Sequence, residues 1–456
     1  MSVQGKLKLE EQLINVHVGY ATKATIYVSF PKFFFIENQH LFESLTIKLN
    51  QSELIFSNCR FEKSGKSPQF DGFLIFTKNV YDFYQLFKHA RLTNNSTFFQ
   101  NIPLIIEQKA KLNMIFKEYV SDLNYDLSIY QKNFNQLDDK YKNESASVKE
   151  EIYNITFQNE GKDFLTYLDN SIEKLKEIVR NYRKEEYELH GFYFRRMMWH
   201  NILRSKFLSR TNIKPRGYPG DSKMMKMVYQ NNYQGNYIFD KLMHKHPIET
   251  KAAQAVRNRK LMVPNLIKEY QKNKKNKKIN ILSVACGPAN EIERIITNEN
   301  DCDNFFITFL DQDSQALDEA LANIRIIEKR FNKKIKVKII NASVRTMLMQ
   351  KDLMTLWGGF DYIYSMGLFD YLTTKVARAV IDKIYSMLLP DGEMLIGNYH
   401  IRTETRIYLD YWMDWKLFYR SEEDFLKLCS NFKNVKLKIL FEESKSQMFL
   451  QAKRTN

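Results

Sequence analysis

The sequence predicts an α/β protein: a doubly wound, mostly parallel sheet with an antiparallel C-terminal hairpin, preceded by a helical segment and a small β-rich domain. Three observations predict it. From about residue 250, helical apolar periodicity alternates with short apolar runs, the pattern of repeated βα units. The last two runs, Val435–Phe441 and Gln447–Lys453, are separated by only a short turn and must pair antiparallel. Finally, the apolar run Ile281–Val284 opens into the small-residue turn Ala285-Cys286-Gly287-Pro288-Ala289, where an open α/β sheet places its ligand crevice.

The chain of 456 residues has room for about three domains at ~150 residues each. We divide it into a β-rich part (1–100), a helical linker or cap (101–200) and the α/β domain (201–456). The 33 Phe, 26 Tyr and 4 Trp residues supply ample core and exclude full disorder. No apolar run approaches the ~20 residues of a membrane span. Glu10 and Glu11 stand where a signal peptide would be apolar. A cytoplasmic protein is therefore expected, with Cys59, Cys286, Cys302 and Cys429 as scattered reduced thiols. His200, His244, His246 and His400 form no HxxxH or HExxH pattern, so no metal is assigned.

The formal net charge is +16, and residues 201–280, with 19 basic and 4 acidic residues, carry nearly all of the excess. Such a concentration either attracts an anionic partner or forms a solvated helix face continued by the loop Gln271–Lys278.

Along the first 90 residues, Ala24–Phe30, Leu45–Leu49, Glu53–Phe61 and Phe70–Thr77 are short and rich in β-branched and aromatic residues, with a turn at Ser64–Pro68. They suggest a small barrel or sandwich, similar to a PilZ-type barrel. That type binds a cyclic dinucleotide, but the segment has no RxxxR arginine pair, so a scaffold or interaction module is the favoured reading. Ile105–Tyr119 and Phe164–Tyr187 have helical periodicity, with a polar loop at Asp138–Ser147. Helices follow at Thr250–Tyr270, after the turn through Thr297, at Ser314–Phe331 and at Lys375–Leu388. Strands follow at Ile279–Ala285, Phe305–Leu310, Ile335–Ile340, Tyr362–Ser365 and Glu393–Gly397.

The chemistry-bearing residues cluster at strand ends. The turn lets a ligand approach the backbone, and the following helix start offers free N–H groups. Asp311 ends the second strand and can accept hydrogen bonds from both ribose hydroxyls. Asn341, at the third strand tip before Ala342-Ser343, can pair with an adenine edge. This order resembles the class I S-adenosylmethionine-dependent methyltransferases, whose first motif reads strand, acid, G-x-G-x-G. Here Ser283 stands at the acid position, and Ala285 and Ala289 replace the outer glycines around Gly287. The strand FDYIYSMGLFDYL (Phe360–Leu372) and the leader LLPDGEMLIGN (Leu388–Asn398), with its turn at Pro390-Asp391-Gly392, extend the likeness. It implies a Rossmann-like sheet with S-adenosyl-L-methionine held by Ala285, Gly287, Pro288, Ala289, Glu291, Asp311, Gln312, Asn341, Ala342, Ser343, Met366 and Gly367.

KPRGYPGD (Lys214–Asp221), VRNRK (Val256–Lys260) and YWMDWKLFYR (Tyr411–Arg420) are similar to segments of a bacterial family linked to 3-hydroxy fatty acid methyl esters, such as 3-hydroxypalmitate methyl ester. That resemblance covers about 190–456 and implies a fatty acid methyl ester product. The acceptor would be a small molecule or lipid, free or delivered by an acidic carrier protein. A carboxylate acceptor, with its reference pKa near ~4, is already ionised and needs only an anchor. Tyr218, Tyr371, Arg216 and Arg420 are candidates for it. A hydroxyl acceptor needs a base. Asp221 or Asp370 could be that base, or could hold the cofactor's amino group. The plainer readings are a turn at Arg216–Asp221, a helix cap at Asp370, and packing for Trp412 and Trp415. Cys286 serves as a small turn residue.

Two alternatives remain. The basic segment suggests a nucleic-acid methyltransferase. Against it, Ser365-Met366-Gly367-Leu368 stands where a base amino-methyltransferase carries (D/N)-P-P-aromatic, and there is no Pro-Cys pair. The altered glycine turn suggests a non-catalytic S-adenosylmethionine-binding sensor.

Overall fold

The computed structural model describes residues 3–21, 25–30, 36–49, 52–63, 71–77, 109–274 and 278–455. The chain forms two compact units, Met1–Leu112 and Asn113–Asn456.

The first unit holds β1 (Val3–Leu9), β2 (Gln12–Ala21), β3 (Thr25–Ser29), β4 (Leu41–Leu49), β5 (Ser52–Lys63) and β6 (Gly72–Phe76). They close into an antiparallel barrel in the order β1-β2-β3-β6-β5-β4. Closure follows from period-two patterning. Leu7, Val16, Ile26, Leu45, Phe61 and Leu74 point inward and fill the centre. Strands β1 and β2 were not expected, because their apolar residues alternate with Lys, Asn, His and Gly and lack the aromatic density of the others. The expected turn at 64–68 lies outside the described residues.

The second unit opens with nine helices: α1 (Met114–Lys140), α2 (Ala146–Gln158), α3 (Glu160–Val179), α4 (Lys184–Met197), α5 (Trp199–Arg204), α6 (Lys206–Ile213), α7 (Ser222–Gln230), α8 (Ile238–Glu249) and α9 (Lys251–Asn273). Helix α1 starts later than its apolar periodicity suggests. The Asn113 side chain caps it, accepting from the Ile115 N–H at 2.8 Å. Residues 105–108 lie outside the described residues. The helix expected over Phe164–Tyr187 stops at Val179, and α4 begins anew at Lys184. Residues 113–200 are no separate cap. Phe116, Phe164 and Phe194 share one core with Phe207, Phe239 and Trp412, because each amphipathic helix buries its apolar face against the helices that follow.

The sheet comprises β7 (Ile279–Val284), β8 (Phe305–Asp311), β9 (Lys336–Asn341), β10 (Phe360–Ser365), β11 (Leu388–Tyr399), β12 (Val435–Phe441) and β13 (Gln447–Arg454), in the order β12-β13-β11-β10-β7-β8-β9. Strands β9, β8, β7, β10 and β11 are parallel, and β13 is antiparallel to both β11 and β12. This is the sheet expected of a Rossmann-like fold. The order reverses between β7 and β10, which opens a crevice at their carboxyl ends. Alternate residues serve opposite faces: Ile281, Tyr362 and Tyr364 pack in one core, Leu282 and Ile363 in the other.

The remaining helices are α10 (Ile292–Ile295), α11 (Glu299–Asn304), α12 (Ser314–Phe331), α13 (Val344–Met349), α14 (Leu353–Trp357), α15 (Thr374–Ser386), α16 (Arg406–Tyr411) and α17 (Glu422–Lys427). The helix expected after the glycine turn through Thr297 is only α10. Strand β11 is longer than expected, since Leu388 pairs with Phe360 and Glu393 already pairs with Tyr362. Pro390-Asp391-Gly392 lies in the intervening insert, with Asp391 at φ 60°.

Arg420, expected to position a substrate, is buried in this framework instead. Its guanidinium donates to the carbonyls of Phe369 at 2.8 Å and Leu372 at 2.5 Å, and to the Asn398 side chain. It clamps the connection after β10 to the end of β11. Arg420→Met would strand these buried acceptors, at a cost of roughly 3 kcal/mol or more. A denaturant titration should show that fall in unfolding free energy, with Arg420→Lys recovering only part, since an ammonium lacks the planar fork.

Candidate active site

The crevice at the β7–β10 reversal is a cavity of about 390 Å³. Its floor is the turn after β7. Ala285, Gly287 and Ala289 all have left-handed backbone, at φ 51°, 56° and 49°. The two alanines thus adopt the conformation that glycine takes freely, at a cost of ~1–2 kcal/mol each. The turn keeps the path of a glycine loop although two glycines are missing. Open space surrounds Gly287, so the backbone faces the cavity without obstruction.

Asp311, at the tip of β8, secures this turn. Its carboxylate accepts the Gly287 N–H at 2.8 Å and the Asp313 N–H at 2.9 Å. Burial raises its pKa, opposed by those two N–H groups. Gln312, Ala342, Ser343, Met366 and Gly367 also line the cavity, as do Pro288 and Glu291. Asn341 does not. Its side-chain amide donates to the carbonyls of Asp311 at 3.0 Å and Gln312 at 3.2 Å, holding the link after β8.

The opposite wall comes from the helices and the end of the sheet. Tyr218, Asp370 and Tyr371 lie there, with Trp415 and Tyr399. The Trp415 indole N–H donates to the Tyr371 hydroxyl at 2.9 Å, so Trp415 orients a cavity side chain as well as packing. The loop between α6 and α7 closes the wall. Gly220 lets it do so: a Cβ there would stand 2.5 Å from the Tyr371 hydroxyl oxygen.

That loop uses its charged residues structurally. The Arg216 guanidinium binds Asp313 at 2.8 Å and Glu319 at 3.0 Å, and does not line the cavity. The Tyr218 hydroxyl donates to the same Asp313 carboxylate at 3.1 Å. Asp221 is fully buried outside the cavity. Arg210 grips both of its oxygens, at 2.8 and 2.5 Å, and it caps α7 through the Met224 N–H. Neither oxygen faces an acceptor, which removes the geometry of a base.

Sequence reasoning passed over several lining residues, among them Met225, Tyr229, Arg259 and Tyr399. Arg259 lay within the quoted VRNRK segment, but nothing in that run separates it from Arg257, which bonds the Ile248 carbonyl.

Part of the basic segment is paired with acids of the same unit. Arg204 pairs with Asp240, Lys214 with Asp414, Lys245 and Arg257 with Glu249, Lys260 with Glu293, Lys268 with Asp301, and Lys274 with Asp361. Residues 275–277 of the expected basic loop lie outside the described residues.

No protein-family model matches the chain, and no curated protein matches its sequence. Among solved structures it is similar to a possible exported protein from Bordetella parapertussis (13% identity, 56% of this chain and 86% of that one, TM-score 0.43). It is also similar to magnesium protoporphyrin IX methyltransferase from Synechocystis PCC 6803 with bound SAM (11%, 44% and 83%, 0.32). A third is an S-adenosylmethionine-dependent methyltransferase from Clostridium acetobutylicum (13%, 44% and 92%, 0.32).

Asp370 is the titratable group with most consequence. It is buried, accepts the Tyr399 N–H at 2.6 Å, and burial raises its pKa from 3.8 to about 7, opposed by that N–H and by Arg259 and Arg420. The folded state therefore keeps this proton up to about pH 7, while the unfolded chain releases it near pH 4. Between these values the folded state binds more protons, so stability falls as pH rises. Asp370→Asn keeps an acceptor for Tyr399 but cannot ionise. Its melting temperature should gain on that of the wild type between pH 5 and pH 8; a constant gap would refute the assignment.

Proposed function

We propose that the chain is an S-adenosylmethionine-dependent methyltransferase that methylates an oxygen of a small or lipid acceptor, with the carboxyl of a 3-hydroxy fatty acid as the leading candidate. One observation carries the reading: Asp311 at the tip of β8 is joined to a left-handed turn after β7, and both line a cavity at the sheet's reversal point.

The residues present fit the cofactor. Asp311 has lone pairs left for two ribose hydroxyls. Ala342 and Ser343 offer a flat, small-sided wall for the adenine, and the turn lets the backbone come close. The bound cofactor would supply an electrophilic sulfonium methyl.

The chain's own task is to orient the acceptor and exclude water. Tyr218, Tyr371 and Trp415 form an aromatic wall that does both. Below pH 7 the Asp370 carboxyl is protonated and can donate to an acceptor carboxylate without quenching its other oxygen. A second reading has a specific support. With a pKa of about 7, Asp370 is also poised as the base for a hydroxyl acceptor. A nucleic-acid acceptor is less well supported, because internal ion pairs consume much of the basic segment.

Calorimetric titration with S-adenosylmethionine and S-adenosylhomocysteine tests the cofactor. Wild type should bind both at micromolar concentration, and Asp311→Ala should lose about two orders of magnitude, the worth of two hydrogen bonds to a charged group. Absence of binding by wild type ends the reading. If binding holds, the acceptor screen begins with 3-hydroxy fatty acids.

A further inference from the structure

Val256, Tyr399, Trp415 and Leu417 form a partition: they line the cavity and also a second, smaller space. That space is a void of about 20 Å³ among Phe207, Met224, Val228, Leu409 and Met413, all of them buried. It lies where α6, α7, α8, α9 and α16 come together.

Three polar side-chain groups belong to its lining, and each already has a partner. The Tyr399 hydroxyl donates to the Ala252 carbonyl at 2.8 Å, and the Thr250 hydroxyl to the Pro247 carbonyl at 2.9 Å. The Trp415 indole N–H donates to the Tyr371 hydroxyl at 2.9 Å. The void has room for a water, which needs roughly 10–15 Å³ by the same measure, but a buried water also needs two to four polar partners. These walls suit hydrocarbon instead. An apolar group entering the void gains dispersion contacts that its lining otherwise lacks on one side, whereas a polar group would lose its hydration with nothing to replace it.

Trp415 links this void to the polar end of the cavity. Its indole occupies a lone pair of the Tyr371 hydroxyl, which keeps its own proton to donate to an acceptor oxygen. Leu417 is the half-buried member of the partition, while Val256, Tyr399 and Trp415 are buried. It is therefore the side chain with most freedom to yield to an entering chain.

We infer that the void receives the apolar end of the methyl acceptor, and that Val228, Ala253 and Met413 set the length of hydrocarbon that fits. The inference rests on the methyltransferase reading above and deepens it. The acceptor becomes an amphiphile, with an oxygen held at Tyr371 and an unbranched aliphatic end passing Trp415.

The test is calorimetric titration of the protein saturated with S-adenosylhomocysteine. The probes are straight-chain 3-hydroxy acids of increasing length and the primary alcohols of the same lengths. Affinity should rise by about fourfold per methylene up to a cut-off length. Ala253→Val adds two methyl groups to the lining and should move the cut-off shorter by about two carbons. Val228→Ala removes two and should move it longer by as much. Neither residue lines the larger cavity, so the affinity for S-adenosylhomocysteine should stay within about twofold. A cut-off seen with the alcohols alone would uphold the void and refute the carboxyl acceptor. A cut-off unchanged in both variants would overturn the inference, as would affinity that does not depend on length, or no binding of either series by wild type that holds S-adenosylhomocysteine. Wild type that fails to bind S-adenosylhomocysteine would instead overturn the cofactor reading, and this inference with it. Should Ala253→Val fail to fold by thermal melting, Val228→Ala carries the same comparison.

Discussion

The carboxylate of Asp311 holds the N–H groups of Gly287 and Asp313 together. The first bond fixes the turn after β7, and the second fixes the start of α12. Because Asp313 also anchors Arg216 and Tyr218, the loop between α6 and α7 is positioned through the same few atoms. The floor, one side and part of the wall of the cavity thus depend on a single side chain. Its burial raises its pKa, so its ionised form needs those two donors.

The sheet was legible because burial on both faces imposes a strong local pattern. Helix α12 and strand β12 fall where their periodicity places them, as each is bounded by polar turn formers. The barrel was half legible: β5 and β6 are aromatic-rich, while β1 and β2 spread their core residues among polar ones. The helical layer misled in one respect. Its periodicity marks an apolar face but does not say what covers it, so a presumed cap turned out to share its core with the rest of the unit.

Among the site residues, those on strand tips could be found by position, since the crevice is set by strand order. Charge was a poorer guide. Arg216, Asp221 and Arg420 look reactive in a turn-rich or aromatic context, yet each satisfies a neighbour. Arg259 looks like any helix arginine, and only three dimensions show that it is buried at the cavity wall. The turn at 285–289 teaches a related point. A glycine motif describes side chains, whereas the requirement is on backbone dihedrals, and alanine can meet it at a cost in strain.

The ion pairs of the basic segment reach acids at Asp240, Glu293, Asp301, Asp361 and Asp414. These lysines and arginines act as internal mortar between the helices and the sheet. A polyanion approaching this face, whether a strand of RNA or a cation-exchange resin, would meet acids brought in from the rest of the unit and so less local positive charge than the 19 basic against 4 acidic residues of the segment imply, while the +16 of the whole chain is unchanged.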